Sequence, residues 1–288
     1  MGGNMAERLV QGGHTVAGYN KDSISPQRIN EMGISLVPDL ADLVAGLPAP
    51  RVIWIMVPAG PPTQETVETL AQLLSAGDLI IDGGNTRFTD DIARSEALRP
   101  SGIHYMDVGT SGGVWGLKEG YCLMAGGDPA DFAHVEPILK TLAPPDGYMH
   151  CGPVGSGHFV KMVHNGIEYG MMQAYAEGFE IMQASRFAPD LAKIAKLWNQ
   201  GSVVRSWLLE LTALALEQDP GLEHLQPWVE DSGEGRWTVE EAVNTAVPAP
   251  VMALSLFMRF RSRQDNSFAG RMLAAMRQQF GGHAVKPK

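Results

Sequence analysis

The spacing of apolar residues changes once along this chain, and that change limits the fold more than any single motif. Up to about residue 152, short apolar runs ending in glycine-rich turns alternate with stretches of helical spacing. Arg51–Val57 is one such run, bounded by Pro58-Ala59-Gly60. Leu79–Ile81 is the next, followed by Asp82-Gly83-Gly84-Asn85. Runs that are apolar throughout, rather than alternating, suit strands covered on both faces of a parallel sheet. From about 155 the spacing is helical throughout. An α/β Rossmann-type dinucleotide-binding domain over residues 1–154, then an all-α domain over 155–288, accounts for both halves. A chain of 288 residues is long enough for two such cores.

In more detail, the first half predicts strands at His14–Asn20, Ile103–Val108, 121–126 and 148–151, and helices over 63–76, 89–99 and 129–142. The second half predicts one long helix ending near Ser185. Further helices are expected near 189–199, 203–217, 238–247, 249–263 and 268–279. Thr238-Val239-Glu240-Glu241 has the form of a capping box, which would start a helix at Thr238.

A net charge of −10 argues against general nucleic-acid or anionic-membrane binding, so an anionic ligand would need a local basic pocket. Cys122 and Cys151 are the only cysteines, too few for a disulfide framework or a zinc site, and a reducing cytoplasm is expected. No ligand cluster suggests a metal. There is no apolar run of membrane length and no signal-peptide core.

Met1–Val10 reads as the start of a helix and His14–Asn20 as the strand after it, the second half of a βαβ dinucleotide-binding unit. The first strand and the first two glycines of G-x-G-x-x-G are missing, so the natural start is expected upstream of Met1. Taken alone, Gly2-Gly3 would equally suit a flexible terminus. At the strand's end, Asn20 and Lys21 suit the 2′-phosphate of NADP, Asp22 suits the ribose of NAD, and an ordinary polar turn is the third reading. Ligands of open α/β sheets lie beyond the carboxyl ends of strands, which puts Val57-Pro58-Ala59-Gly60 and Asp82–Asn85 beside the cofactor.

The stretch Gly155–Gly170 carries the chemistry. Read as a helix, it sets Lys161, His164, Asn165 and Glu168 within an arc of about 100°. Phe159, Val163, Gly166 and Gly170 lie on the other side, small enough for a helix to pack closely. An amine, an imidazole, an amide and a carboxylate on one stripe are groups for proton transfer and hydrogen bonding. The other reading is a solvated face with a Lys–Glu pair. The Gly, Met, Val, Phe and Tyr around the stripe argue against it, as does its position directly after a Gly-rich turn that ends the α/β pattern.

Gly157-His158-Phe159-Val160-Lys161-Met162-Val163-His164-Asn165-Gly166-Ile167-Glu168-Tyr169 resembles the helix that carries the chemistry in the 6-phosphogluconate dehydrogenase family, decarboxylating enzymes of the pentose phosphate pathway and gluconate metabolism. The resemblance recurs in Asp82-Gly83-Gly84-Asn85, in Ser111-Gly112-Gly113 and in Arg277-Gln278-Gln279-Phe280-Gly281-Gly282-His283. Trp115-Gly116-Leu117 and the short C-terminal half resemble the family's short form. The resemblance implies oxidation and decarboxylation of 6-phosphogluconate to ribulose 5-phosphate and CO2 with reduction of NADP or NAD. Lys161 would be the base, Glu168 the acid, and His164 and Asn165 would orient the substrate. Gly2 and Asn4 would belong to the nucleotide loop, with Asn20, Lys21, Val57, Ala59 and Asn85 also on the cofactor. Asn85, Ser111, Gly112, Gly113 and Tyr169 would contact the sugar acid, Arg259 its phosphate, and Arg277 and His283 would bind substrate from the C-terminal tail. Taken alone, Arg259 would instead be a snorkelling surface arginine, and the tail from Arg277 disordered. The polar loop Glu230–Trp237 resembles the family's phosphate-side loop but is shortened, with Glu234 where a threonine is usual. By the same resemblance the tail reaches a partner subunit's site, so a homo-oligomer, dimer or tetramer, is implied. The alternatives are another β-hydroxyacid dehydrogenase of the 3-hydroxyisobutyrate type, or a truncated remnant that binds no cofactor.

Overall fold

The computed structural model describes residues 1–21, 31–282 and 284–286. The chain divides into two compact units, Met1–His164 and Asn165–Lys288. The first contains α1 (Gly2–Gln11), β1 (Ala17–Gly18), β2 (Ser35–Leu36), α2 (Leu40–Ala45), β3 (Val52–Ile55), α3 (Pro61–Leu73), β4 (Leu79–Asp82), α4 (Phe88–Leu98), β5 (His104–Ser111), α5 (Gly116–Glu119), β6 (Cys122–Gly126), α6 (Pro129–Leu142) and β7 (Tyr148–Gly152). α7 (Ser156–Gln183) begins in the first unit and continues as one helix into the second.

The five-stranded sheet has the order β3-β4-β5-β6-β7. β3, β4 and β5 are parallel, β6 runs against β5, and β7 is parallel to β6. β1 and β2 form a separate parallel pair. All four residues of β4 are buried because layers cover both faces of the sheet. Ile81 joins Met5, Met106, Val108, Val135 and Leu139 on the side of α1 and α6. Its neighbour Ile80 points the other way, to Leu43, Val67, Leu70, Leu98 and Tyr105. Helix starts carry the expected chemistry. Asp39 and Asp128 accept backbone N–H groups of α2 and α6, and Pro61 opens α3. This is a Rossmann-like α/β fold.

The second unit is all helical: the remainder of α7, then α8 (Leu191–Trp198), α9 (Trp207–Gln218), α10 (Glu234–Asn244), α11 (Pro250–Ser262) and α12 (Phe268–Gly281). Phe179 of α7 packs with Ala195, Leu209, Ala213 and Leu216. Asp190, Ser206 and Ser267 cap α8, α9 and α12 through their side chains. The small face of α7 is used as its residues suggest. A Cβ on Gly166 would lie 2.6 Å from the Thr238 methyl and 3.0 Å from the Met252 sulfur, so α10 and α11 approach the helix at this glycine. Among the described residues no helix is long and apolar enough to cross a membrane.

Three local expectations are corrected. The ladder expected over His14–Asn20 covers only Ala17 and Gly18, because β2 offers just two partners. Thr238 does not start a helix. α10 begins one turn earlier, after Gly233 at φ +105°, and the Thr238 hydroxyl donates to the Glu234 carbonyl inside the helix. The Arg277–Gly281 segment is the last part of α12 rather than a disordered tail.

Candidate active site

In the first unit, β5 and the opening of α7 meet almost backbone to backbone. A Cβ on Gly109 would fall 2.3 Å from Lys161 Cβ, and one on Gly157 would fall 2.3 Å from the Met124 carbonyl oxygen. Glycine is required at both positions by proximity alone. Asp107 of β5 then caps the helix from outside it. Its carboxylate accepts the N–H of Gly155 at 2.6 Å and of His158 at 2.7 Å, which satisfies orphan donors where the helix dipole favours an anion. Lys161, two residues into the next turn of α7, is buried to 7% exposure, and its Nζ lies 3.4 Å from His164 Nδ1.

Behind this turn lies a buried polar network. His158 Nδ1 meets Asp91 Oδ2 at 2.7 Å. Tyr105 bridges Asp91 at 3.0 Å and Asp82 at 3.3 Å through its hydroxyl. Asp82 also accepts from Arg94 at 3.2 Å, Thr86 at 2.8 Å and the Gly84 N–H at 3.0 Å. Burial raises the Asp91 carboxyl to about 6 against the pull of His158. Burial alone would lower His158, but Asp91 above all, with Asp82 and Asp107, raises it to about 9. Between those values the pair is ionic. Asp82, Asp91 and His158 bring ligand-type atoms within 4.8 Å of one another, yet Arg94 and the pairing already occupy them.

Several cofactor candidates of this unit converge at the carboxyl ends of β3 and β4. A Cβ on Gly2 would lie 3.0 Å from Met56 Cβ, and one on Gly84 3.0 Å from the Val57 carbonyl oxygen. Gly2, Asn4, Val57, Ala59 and Asn85 are all half-buried. Bare glycine backbone at a helix N-terminus and at a strand-end turn fits a dinucleotide's phosphates and ring. Asn20 and Lys21 are exposed beyond β1, and Asp22 lies outside the described residues. Ser111 ends β5, followed by Gly112 at φ +139° and Gly113 at φ +55°, conformations that glycine adopts readily and that turn the chain sharply after the strand.

In the second unit, Asn165, Tyr169 and Arg259 are gathered around the start of α10. Asn165 Nδ2 donates to Glu234 Oε1 at 2.9 Å, and Glu234 is only 2% exposed. Tyr169 is 5% exposed, and the Arg259 guanidinium lies over its ring at 3.5 Å. Arg259 also donates to the Glu230 carbonyl at 2.8 Å, so it is stacked and half-buried rather than snorkelling. The Glu230–Trp237 loop is fixed by Asp231, whose carboxyl is held below its usual range chiefly by Arg236 and also by Arg263. Glu168 is half-buried on α7. Arg277 is exposed on α12, and His283 lies outside the described residues.

Sequence reasoning missed Asp91, Asp107 and the role of His158. Asp107 had a signal, a carboxylate ending an apolar strand. Asp91 had none, since its partner is 67 residues away. In the sequence Glu234 stands out only as a departure in a loop.

Residues 1–155 match the family model described as the NAD binding domain of 6-phosphogluconate dehydrogenase, and residues 157–269 match that of the 6-phosphogluconate dehydrogenase C-terminal domain. The Bacillus subtilis protein YqeC is 42% identical over 288 residues, spanning 100% of this chain and 97% of that one. The NAD(+)-dependent, decarboxylating 6-phosphogluconate dehydrogenase of Haloferax volcanii is 40% identical over 290 residues, spanning 100% of this chain and 96% of that one. Among solved structures, Plasmodium falciparum 6-phosphogluconate dehydrogenase, studied in apo form and with NADP+ or 6-phosphogluconate, superposes with a TM-score of 0.82 at 28% identity. That match covers 100% of this chain and 65% of the other.

Proposed function

The chain belongs to the 6-phosphogluconate dehydrogenase family in its short form, and from that premise we propose that it converts 6-phosphogluconate to ribulose 5-phosphate and CO2 with reduction of NAD(P). The observation that carries the reading is a buried lysine, Lys161, on the same helix as Glu168. A substrate that must first lose a hydroxyl proton and later gain a carbon-bound proton needs two such groups.

A nicotinamide dinucleotide held by Gly2, Asn4, Val57, Ala59 and Asn85 would supply the hydride acceptor for C3. Neutral Lys161 takes the proton of the C3 hydroxyl as that hydride departs, which leaves a 3-keto acid and a lysine ammonium. The ketone accepts the electron pair of the breaking C1–C2 bond, CO2 leaves, and the ammonium stabilises the enolate oxygen and returns its proton there. Glu168 then gives its proton to the carbon that lost CO2, which becomes C1 of ribulose 5-phosphate, while Lys161 takes back the enol proton as the C2 ketone forms. His164, Asn165, Asn85 and the Ser111–Gly113 turn orient the sugar acid. Tyr169 and Arg259 receive the phosphate end, where a planar guanidinium stacked on an aromatic ring suits the task. Gly2, Asn4, Val57, Ala59 and Asn85 hold the dinucleotide.

The division of labour follows the two halves in the main: residues 1–154 bind the nucleotide and lend Asn85 and the Ser111–Gly113 turn to the substrate, and residues 155–288 supply the other substrate residues and oligomerise. Phe268, Leu273 and Met276 of α12, between 48% and 67% exposed, support a homo-oligomer in which Arg277 and His283 complete a neighbour's site. A cytoplasmic setting fits this chemistry. Asn20 and Lys21 support NADP, while the Haloferax relative is named as NAD(+)-dependent.

The test adds 6-phosphogluconate with NADP or NAD in turn and follows reduced nicotinamide and CO2 together. Equal amounts of both products support the proposal, and the faster nucleotide gives the preference. Reduced nicotinamide without CO2, or turnover only of short 3-hydroxy acids, would sink it in favour of the 3-hydroxyisobutyrate type of reaction.

A further inference from the structure

We propose that His158 is a positioning residue: its hydrogen bond to Asp91 ties the first turn of α7 to α4, so that one buried network sets both Lys161 and the Asp82–Asn85 turn. The chain of contacts is continuous within the first unit. From Lys161, one helical turn back is His158, whose backbone N–H is held by Asp107 and whose ring is held by Asp91. From Asp91 the Tyr105 hydroxyl leads to Asp82. Asp82 in turn accepts the N–H of Gly84, the residue before Asn85, and is clamped by Thr86 and Arg94. The proposed base and the proposed carboxyl-end asparagine therefore hang from the two ends of one set of directional bonds.

Stability alone is a poor reason for this arrangement. A buried ion pair is often no better than apolar residues of the same volume, because desolvation offsets the attraction. The His158 ring is fully enclosed, and its Nε2 finds no partner among the described residues, a further cost. What the network provides is direction. Each bond tolerates little error in angle, whereas apolar packing would let the turn slide. The charged groups that act on His158 are Asp91 of α4, Asp82 of β4 and Asp107 of β5, and Tyr105 and Arg94 meet these carboxylates rather than the ring.

The inference rests on the proposed function only in treating Lys161 as the base, so its test has two readouts. Three variants are compared with the parent protein: His158→Leu, which keeps bulk and loses the bond; His158→Asn, whose Nδ2 can occupy the place of Nδ1; and Tyr105→Phe, a mild break further along. The first readout is turnover of 6-phosphogluconate per folded protomer. For His158→Leu, kcat is expected to fall about 10- to 100-fold, the cost of a small misplacement of reacting groups. KM for the nucleotide should stay within about 2-fold, since Thr86 and Arg94 still clamp Asp82 at the turn that carries Asn85, and the defect falls on Lys161 and the chemical step. His158→Asn should recover most of the loss, and Tyr105→Phe should show a smaller loss with near-parental Tm. The second readout is independent of substrate: the pH profile of Lys161 labelling by acetic anhydride, read on its peptide by mass spectrometry. It should shift in His158→Leu and return in His158→Asn.

A lower Tm with unchanged kcat, unchanged KM and an unchanged labelling profile would make the network structural only and overturn the proposal. So would an Asn variant no better than Leu. If His158→Leu does not fold, Tyr105→Phe decides on the same criteria. If the parent protein leaves 6-phosphogluconate untouched, the proposed function fails, while the labelling profile still decides the role of His158.

Discussion

Gly109→Ala tests whether the position of Lys161 is set by backbone contact between β5 and α7. The added methyl would start 2.3 Å from Lys161 Cβ and 3.0 Å from the Gly157 carbonyl, against 3.4–4 Å for an ordinary contact. Neither neighbour is the free end of a flexible chain. The strand is pinned between β4 and β6, so α7 must move outward by about 1 Å to restore contact distance. Overpacking of this kind costs about 1–3 kcal/mol. It also stretches the Asp107 bonds to Gly155 and His158, which begin at 2.6 and 2.7 Å. A shift of about 1 Å in a reacting group can cost roughly 100-fold in rate. The assay pairs urea denaturation with kcat on 6-phosphogluconate. Gly178→Ala on the same helix serves as control, since its Cβ would meet nothing within 4 Å. That change should add about 0.5–1 kcal/mol through helix propensity and leave kcat alone. A Gly109→Ala protein with parental stability and parental kcat would refute the claim that this contact sets Lys161.

Other changes give separate expectations. Glu168→Gln should bind 6-phosphogluconate normally and lose turnover by about 100-fold or more, the scale of general acid catalysis; formation of ribulose 5-phosphate at the parental rate would remove Glu168 from the mechanism. Glu234→Ala should raise KM for substrate several-fold by freeing the Asn165 carboxamide, with Glu234→Gln close to parental, since a glutamine oxygen can still accept at the 2.9 Å position; equal values for both variants would count against this role. His158 holds its proton more tightly folded, at about 9, than unfolded, near 6.5. Its contribution to stability is therefore complete below about pH 6.5 and disappears as pH climbs through 9, at most about 3 kcal/mol. Denaturant midpoints at pH 7 and pH 10 read this, and an alkaline slope that persists in His158→Asn would assign it to other groups.

The features legible in the sequence were those that repeat locally. The apolar run Leu79–Ile81 reports burial on both faces, and Asp128-Pro129 opens a helix that ends at Leu142 as the spacing suggests. α7 announces itself by one unbroken period. Thr238 misled because a capping box and an i to i+4 hydroxyl bond use the same residue types, and only Gly233 at positive φ shows which one forms. The network behind Lys161 was not legible for another reason. His158, Asp91, Tyr105 and Asp82 come from four elements, and no local spacing encodes a bond across 67 residues. Glu234 was visible as an oddity, but its task depends on Asn165, 69 positions earlier.

Because Lys161 and Glu168 ride on a single uninterrupted helix, their separation along it is a matter of counting. Seven residues at ~1.5 Å each give about 10 Å and nearly two full turns, so the proposed base and the proposed acid look out on the same side. Substitution between them leaves that gauge intact. A single inserted residue would swing Glu168 around by about 100° and lengthen the gap by about 1.5 Å. The interval from 161 to 168 can therefore drift in composition but not in length, and an insertion there should abolish proton delivery while the helix itself still forms.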